Sequence, residues 1–300
     1  MKKFMLILAV LLLFGGQIAC SISPPPIPTI EINIPTIEVG EMQHKQETIP
    51  LEGADSATVA VVFGAGDLNI TAGEDADQLL SGDFYYNVAD WEPQVYYLNG
   101  LLTIEQGESV KDWGFPTGDA HNEWQLSFSP TAALAVDIKA GAGKGDLDFT
   151  GLQLTRLNLD LGAGNFDVRF GEPNQADMSN LKLNAGTSKL EVSGIGYASP
   201  KEMHVQGGVG DIDLDLSGPW ARSADVWVTA GVGAVTMRLP ADVGVQVEVE
   251  GGVSSVDVSG FHLTDGAYVN DAWGKAEIEL HIYATTGIGS LHLIEVSNEQ

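Results

Sequence analysis

Eight times along the chain a short apolar strand runs into a glycine turn and a second apolar strand leaves it, and no other feature constrains the fold as tightly. The plainest copies read VAVVFGAGDLNI, LNLDLGAGNFDV, MHVQGGVGDIDL and VWVTAGVGAVTM. One such unit cannot bury its own apolar face, so it needs a neighbour on each side. Aligned on the first turn glycine, the copies put Gly64, Gly143, Gly162, Gly186, Gly208, Gly231, Gly252 and Gly287 in one column. Two residues on stand Gly66, Gly145, Gly164, Ser188, Gly210, Gly233, Ser254 and Gly289. Glycine turns a strand sharply where a Cβ would clash, so the corner reads as structural.

After the corner, Leu68, Leu147, Phe166, Leu190, Ile212, Val235, Val256 and Leu291 form one apolar column. Ile70, Phe149, Val168, Val192, Leu214, Met237, Val258 and Leu293 form the next. Before the corner the same period of two holds, as in Val59 and Val61 or Leu157 and Leu159. Such alternation marks a half-buried strand. Second-column positions 145, 164, 188, 210, 233 and 254 are spaced by 19, 24, 22, 23 and 21 residues, about one coil per 22. At roughly 4.8 Å per stacked strand, six to eight coils make a rod on the order of 30 to 40 Å long. The expected fold is all-β, a parallel β-solenoid; an antiparallel sandwich of hairpins is the competing arrangement.

Three hundred residues suffice for one or two domains with a sizeable core. Fourteen basic residues face 41 acidic ones, for a formal charge of −27. Nucleic acid is not an expected partner, because phosphate binding needs basic patches. Acidity favours solubility and an attraction for cations. Lys2 and Lys3, the apolar run Phe4 to Phe14 and the approach to Cys20 read as a secretory leader, residues 1–20. Cys20 stands where a bacterial lipoprotein carries its acylated residue, although Gln17 departs from the usual lipobox. With a single cysteine no internal disulfide is possible. Residues 21–46 open with SISPPPIPTIEINIPTIEVGE, a proline-punctuated spacer that holds a folded body away from a membrane surface.

Between Gly66 and Gly145 the aromatics gather: Phe84, Tyr85, Tyr86, Trp91, Tyr96, Tyr97, Trp113, Phe115, Trp124 and Phe128, with Asn99-Gly100 as a hairpin turn. This stretch, within residues 47–130, is read as a small antiparallel insertion capping the rod, whose repeats occupy 131–300. Its aromatics are either cap core or a platform for carbohydrate or lipid. FGAGDLNI, FYYN, DWEP, QVYY and NEWQLSFSP, followed by the GAG-centred repeats, resemble the toast-rack proteins, which join a toast-rack N-terminal domain to repeats similar to putative-adhesin and LiaF-type domains. The resemblance implies a right-handed β-helical body outside a bacterial membrane, non-catalytic, and associated with adhesion or envelope-stress sensing. LiaF-type proteins carry transmembrane helices that this sequence lacks.

Between the two apolar columns the outward position is Asn69, Asp148, Asp167, Glu191, Asp213, Thr236, Asp257 and His292. In a parallel stack Asp148, Asp167, Glu191, Asp213 and Asp257 form an acidic face whose mutual repulsion raises some pKa values, or which binds calcium or another cation weakly. The alternative is a solvated face that keeps exposed strands soluble. No cofactor is expected: Gly141 to Asp146 lacks Walker spacing, the six histidines lack zinc-ligand spacing, and there is no G-x-S-x-G elbow. The expected function is a lipid-anchored, non-catalytic envelope scaffold or adhesin-like module with a protein or cell-wall glycan partner. Envelope-stress sensing and glycan processing on a β-helix are the alternatives.

Overall fold

The computed structural model describes residues 36–107, 115–116, 119–252 and 255–297. They fall in one compact unit beginning at Pro35. The leader, Cys20 and the proline-rich run to residue 35 lie outside the described residues, as does Trp113.

The chain is all-β. Each repeat is one long strand bent at its glycine corner, or two strands flanking the corner. In chain order after the opening strands these are β3 (Ser56–Ala72), β9 (Ala133–Asp148), β10 (Gln153–Arg169), β11 (Asn180–Ser193), β12 (Glu202–Val209) with β13 (Ile212–Asp215), β14 (Ala224–Pro240), β15 (Gly244–Gly251) with β16 (Ser255–Ser259), and β19 (Glu279–Val296). All eight rungs pair in parallel, and their inward residues share one apolar core. Leu68, Phe166, Leu190, Ile212, Val235 and Leu291 line one column of that core at 2% exposure or less.

The corner demands glycine for two separate reasons. Gly164 has φ +142°, and a Cβ there would stand 1.8 Å from the carbonyl oxygen of Gly143 in the rung below. Gly162 lies outside the left-handed region but is equally confined, its Cβ position 2.0 Å from Gly141 O. Strand-to-strand approach, and not the turn alone, therefore excludes side chains from the first column. Ser188 replaces glycine without adopting positive φ and is buried at 6%.

Two features of the sequence alignment are corrected. Gly143 pairs with Gly66 and Gly164, and Gly145 pairs with Leu68 and Phe166, so the second copy turns at Gly141 and Gly143. Leu147 consequently stacks on Val168 and Ile70. A slip of two residues preserves which side chains face inward, which is why periodicity did not detect it. The rungs also do not stack in chain order: β19 lies between β14 and β15–β16. This places the strand with the longer apolar run in the interior and leaves the shorter β15 and β16 at the edge.

Beyond β3 the stack is closed by β2 (Gln43–Pro50), β4 (Gln78–Tyr86), β5 (Pro93–Leu98), β6 (Leu101–Gln106) and β8 (Asn122–Phe128). β6 and β8 continue the parallel register on the two halves of β3. β4 then pairs antiparallel with β8 and β2, and β5 with β6. Phe84, Trp124 and Phe128 are fully buried, with the Trp124 ring edge-on to Phe63 at 5.1 Å and Phe84 at 5.3 Å. These aromatics are cap core; Tyr96 is exposed. Separately, β1 (Thr36–Ile37) pairs with β7 (Phe115–Pro116). At the other end β17 (His262–Thr264) and β18 (Ala267–Val269) form a hairpin against β15.

Where β3 lacks a neighbouring corner, side chains take its place. The Gly64 N–H donates to Gln106 Oε1 at 2.8 Å, and Asn122 Nδ2 donates to Ala65 O at 2.7 Å and to Gln106 Oε1 at 3.0 Å. Trp124 Nε1 donates to Asn122 Oδ1 at 3.0 Å. Buried backbone groups need partners, and two amides supply them here.

Candidate functional site

With rungs in register, outward side chains form rows, and two rows stand out. On the half of each rung after the corner the row runs Asn69, Asp146, Asp167, Glu191, Asp213, Thr236, His292, Asp257. Asp167, Glu191 and Asp213 are brought together as expected. Asp146 takes the place expected of Asp148, which sits two residues along, opposite Arg169. Asp257 closes the row beyond His292 because of the exchanged order of the last rungs.

Basic groups flank this row. Arg169 reaches Asp148 at 3.3 Å and Asp146 at 3.5 Å; Lys189 pairs with Glu191; His292 Nδ1 lies 3.4 Å from Asp257. Burial, then the hydrogen bond and charge of Glu191 and the charge of Asp146, raise the Asp167 pKa, with Lys189 opposing. Glu191 is lowered, chiefly by its bond to Lys189 and then by Asp167. At Asp148 burial is the largest influence and acts upward, but Thr150 and Arg169 together outweigh it and the pKa is lowered. Asp67, Asn69, Glu123, Lys144, Asp146, Asn165 and Asp167 line a shallow open cleft of about 450 Å³ on this face. Among the described residues no three His, Cys, Asp or Glu side chains are placed to hold a metal ion.

The second row was not anticipated. On the half before the corner His204, Trp227 and Tyr283 follow one another on β12, β14 and β19. Their rings stack, with centroids 4.5 Å apart at 6° and 5.8 Å apart at 17°. Trp273 meets His281 edge-on at 5.0 Å beside them. Stacked rings turn their edges to solvent, giving a narrow aromatic strip bordered by Glu202, Asp225 and Glu248. Comparing outward residues between copies would have paired His204 with Trp227, but Tyr283 joins them only because β19 sits beside β14. Of the C-terminal histidines, His262 lies on β17 while His281 and His292 lie on opposite halves of β19, and among the described residues the three form no metal-binding group.

These features define an all-β protein with a parallel repeat body, a buried aromatic cap and rows of outward side chains. Its sequence matches the family described as the N-terminal domain of toast_rack, DUF2154, over residues 38–193 and 178–238, and the chain belongs to that family. No curated protein matches it. Three crystal structures are similar. A "putative cell adhesion protein" from Clostridium sporogenes ATCC 15579 has a TM-score of 0.47 at 22% identity, covering 85% of this chain and 100% of that one. A "putative adhesin" from Bacteroides fragilis NCTC 9343 has 0.43 at 13%, covering 87% and 100%. Another from Parabacteroides merdae ATCC 43184 has 0.38 at 12%, covering 87% and 98%.

Proposed function

We propose that this protein is a lipid-anchored, extracytoplasmic scaffold that binds a protein or a cell-envelope glycan through the outward rows of a rigid right-handed β-solenoid of about 22 residues per coil, and that it catalyses no reaction. In this reading residues 1–20 deliver the chain, Cys20 carries the lipid, and the run from residue 21 up to β2 at Gln43 acts as spacer. β2 and the rest of 47–130 form the cap module around the first rung β3, and 131–300 form the remaining repeat body. The observation that carries the reading is the in-register stack of eight rungs. It presents side chains at fixed spacing on a surface that need not rearrange, and pre-organisation lowers the cost of binding.

Glycan processing is less well supported. It needs an acid pair on the floor of a substrate groove, whereas the carboxylate row and the aromatic strip occupy opposite halves of each rung. Carboxylates of the row are also engaged by Arg169 and Lys189.

The test is expression of the full chain in a bacterial host fed an alkyne fatty acid. The protein should take up label and sediment with membranes, and Cys20→Ser should abolish both. Isolated envelopes should retain the wild-type body, and Trp227→Ser with Tyr283→Ser should weaken retention without unfolding. Unlabelled protein with no affinity for envelopes, or turnover of an envelope glycan, would refute the reading.

A further inference from the structure

The two ends of the stack are closed differently. At the β3 end, β6 and β8 extend both halves of the rung, and Leu102, Ile104, Trp124, Leu126 and Phe128 over it are buried to 1% exposure or less. At the far end β18 pairs with β15 only at Gln246 and Val247. Among the described residues β16 is hydrogen-bonded to β19 alone. Its inward Val256 and Val258 are partly exposed, whereas Leu291 and Leu293 of the adjacent rung are fully buried. Unpaired backbone groups and a strip of apolar core thus lie open side by side, an arrangement to which another strand adds.

The sequence of this edge identifies the strand that fits. Ser255-Val256-Asp257-Val258-Ser259 reads the same in both directions. An antiparallel mate of the same sequence centred on Asp257 brings valine opposite valine on the inner face, serine opposite serine, and Asp257 opposite itself. We propose that β16 is the interface of a two-fold symmetric dimer, in which two copies of this chain join end to end by antiparallel pairing of Ser255–Ser259. A two-fold axis makes each contact twice, so one self-complementary strand suffices. The proline-punctuated residues 21–35 suit the edge less well, since proline offers no N–H to the ladder.

The facing Asp257 carboxylates oppose the pairing. They are tolerated because each side chain is 68% exposed and lies 3.4 Å from the His292 ring of its own chain. Salt screens such repulsion, so the dimer tightens as ionic strength rises.

The register makes the test specific. In the full-length protein carrying Cys20→Ser, Asp257→Cys should give a covalent dimer on mild oxidation, since opposed Cα atoms lie about 4.5 to 5.5 Å apart, within disulfide reach. Ser255→Cys alone should not, because its symmetry mate is about 13 Å away along the strand. Ser255→Cys with Ser259→Cys should restore cross-linking. Sedimentation velocity in mild detergent should give twice the 31.8 kDa chain mass. Asp257→Asn should tighten association about two- to fivefold at low salt. Val256→Lys with Val258→Lys should yield a monomer with unchanged far-ultraviolet circular dichroism. A monomer at every concentration and salt tested, or equal cross-linking at positions 255 and 257, overturns the proposal.

Discussion

Phe166 occupies the volume that Gly145 leaves empty: a Cβ on Gly145 would stand 2.7 Å from Phe166 Cδ1. The two residues are register partners on β9 and β10. Gly145→Ala should therefore overpack the core and cost about 1 to 3 kcal/mol. Phe166→Ala should cost about 3 to 5 kcal/mol through the cavity it leaves. Combined with Phe166→Leu, Gly145→Ala should cost less than the sum of the two changes, because neighbouring sites couple. Urea denaturation of the wild type, Gly145→Ala, Phe166→Leu and the double variant measures this, and strict additivity would show that the contact is not energetically shared.

Corner glycines should differ sharply from turn glycines. Gly164→Ala drives a methyl group against the Gly143 carbonyl, and a loss of about 4 kcal/mol or more, or failure to fold, is expected. Gly100 has φ +77° but nothing within 4 Å of its Cβ position, so Gly100→Ala should cost only the left-handed strain, about 1 to 2 kcal/mol. Thermal melts that ranked the two changes equally would remove close approach as the reason for the glycine column.

The polar closure over the β3 corner should be needed for stability. Asn122→Ala leaves the Ala65 carbonyl and the Trp124 indole N–H without their partner. An unsatisfied buried group costs about 1 to 3 kcal/mol. Hydrogen exchange should show the loss first in β6, which ends at Gln106, and β8, which begins at Asn122. Uniform loss of protection across the stack would contradict this placement.

Asp167 and Asp83 should respond to pH with opposite signs. The folded pKa of Asp167 is raised, so its contribution is most favourable below the unfolded value of 3.8 and is lost as pH rises through the folded value. Asp167→Asn should raise the melting temperature at pH 7 and change it little at pH 3, with a smaller gain in high salt. Asp83 is lowered, first by its bond to Gln46 and then by His44, so its contribution is present at pH 7 and disappears as pH falls through the folded value. Asp83→Asn should lower the melting temperature at pH 7. Calorimetric scans across this range test both signs.

Calcium should bind the acidic row weakly or not at all, because Arg169 and Lys189 already neutralise part of it and no three ligands converge among the described residues. Titration calorimetry should show no saturable heat. Saturable binding abolished by Asp167→Asn would reverse this reading.

The repeat, its inward columns and the capping role of the aromatics were legible because each is written in side chains at a period of two. Less legible was which glycine of GAGKG turns the second copy, since Gly141, Gly143 and Gly145 all satisfy the pattern. The choice rests on Phe166 filling the gap at Gly145, a contact between rungs. The aromatic strip escaped for a related reason: Trp227 and Tyr283 are 56 positions apart in a protein whose other rungs follow chain order.

Alternation and glycine spacing, then, establish that this chain folds as repeated bent strands about one dry interior, because burying one face of a pleated strand is a local demand that each copy meets alike. Their parallel direction is decided by the pairing between rungs. The order of the last rungs, the register of the second and the closure of each end come from contacts between strands distant in sequence. Apolar columns shifted by two residues or exchanged between neighbours bury nearly the same surface. The interdigitation of particular side chains, Phe166 over Gly145 and β19 against β14, selects among them.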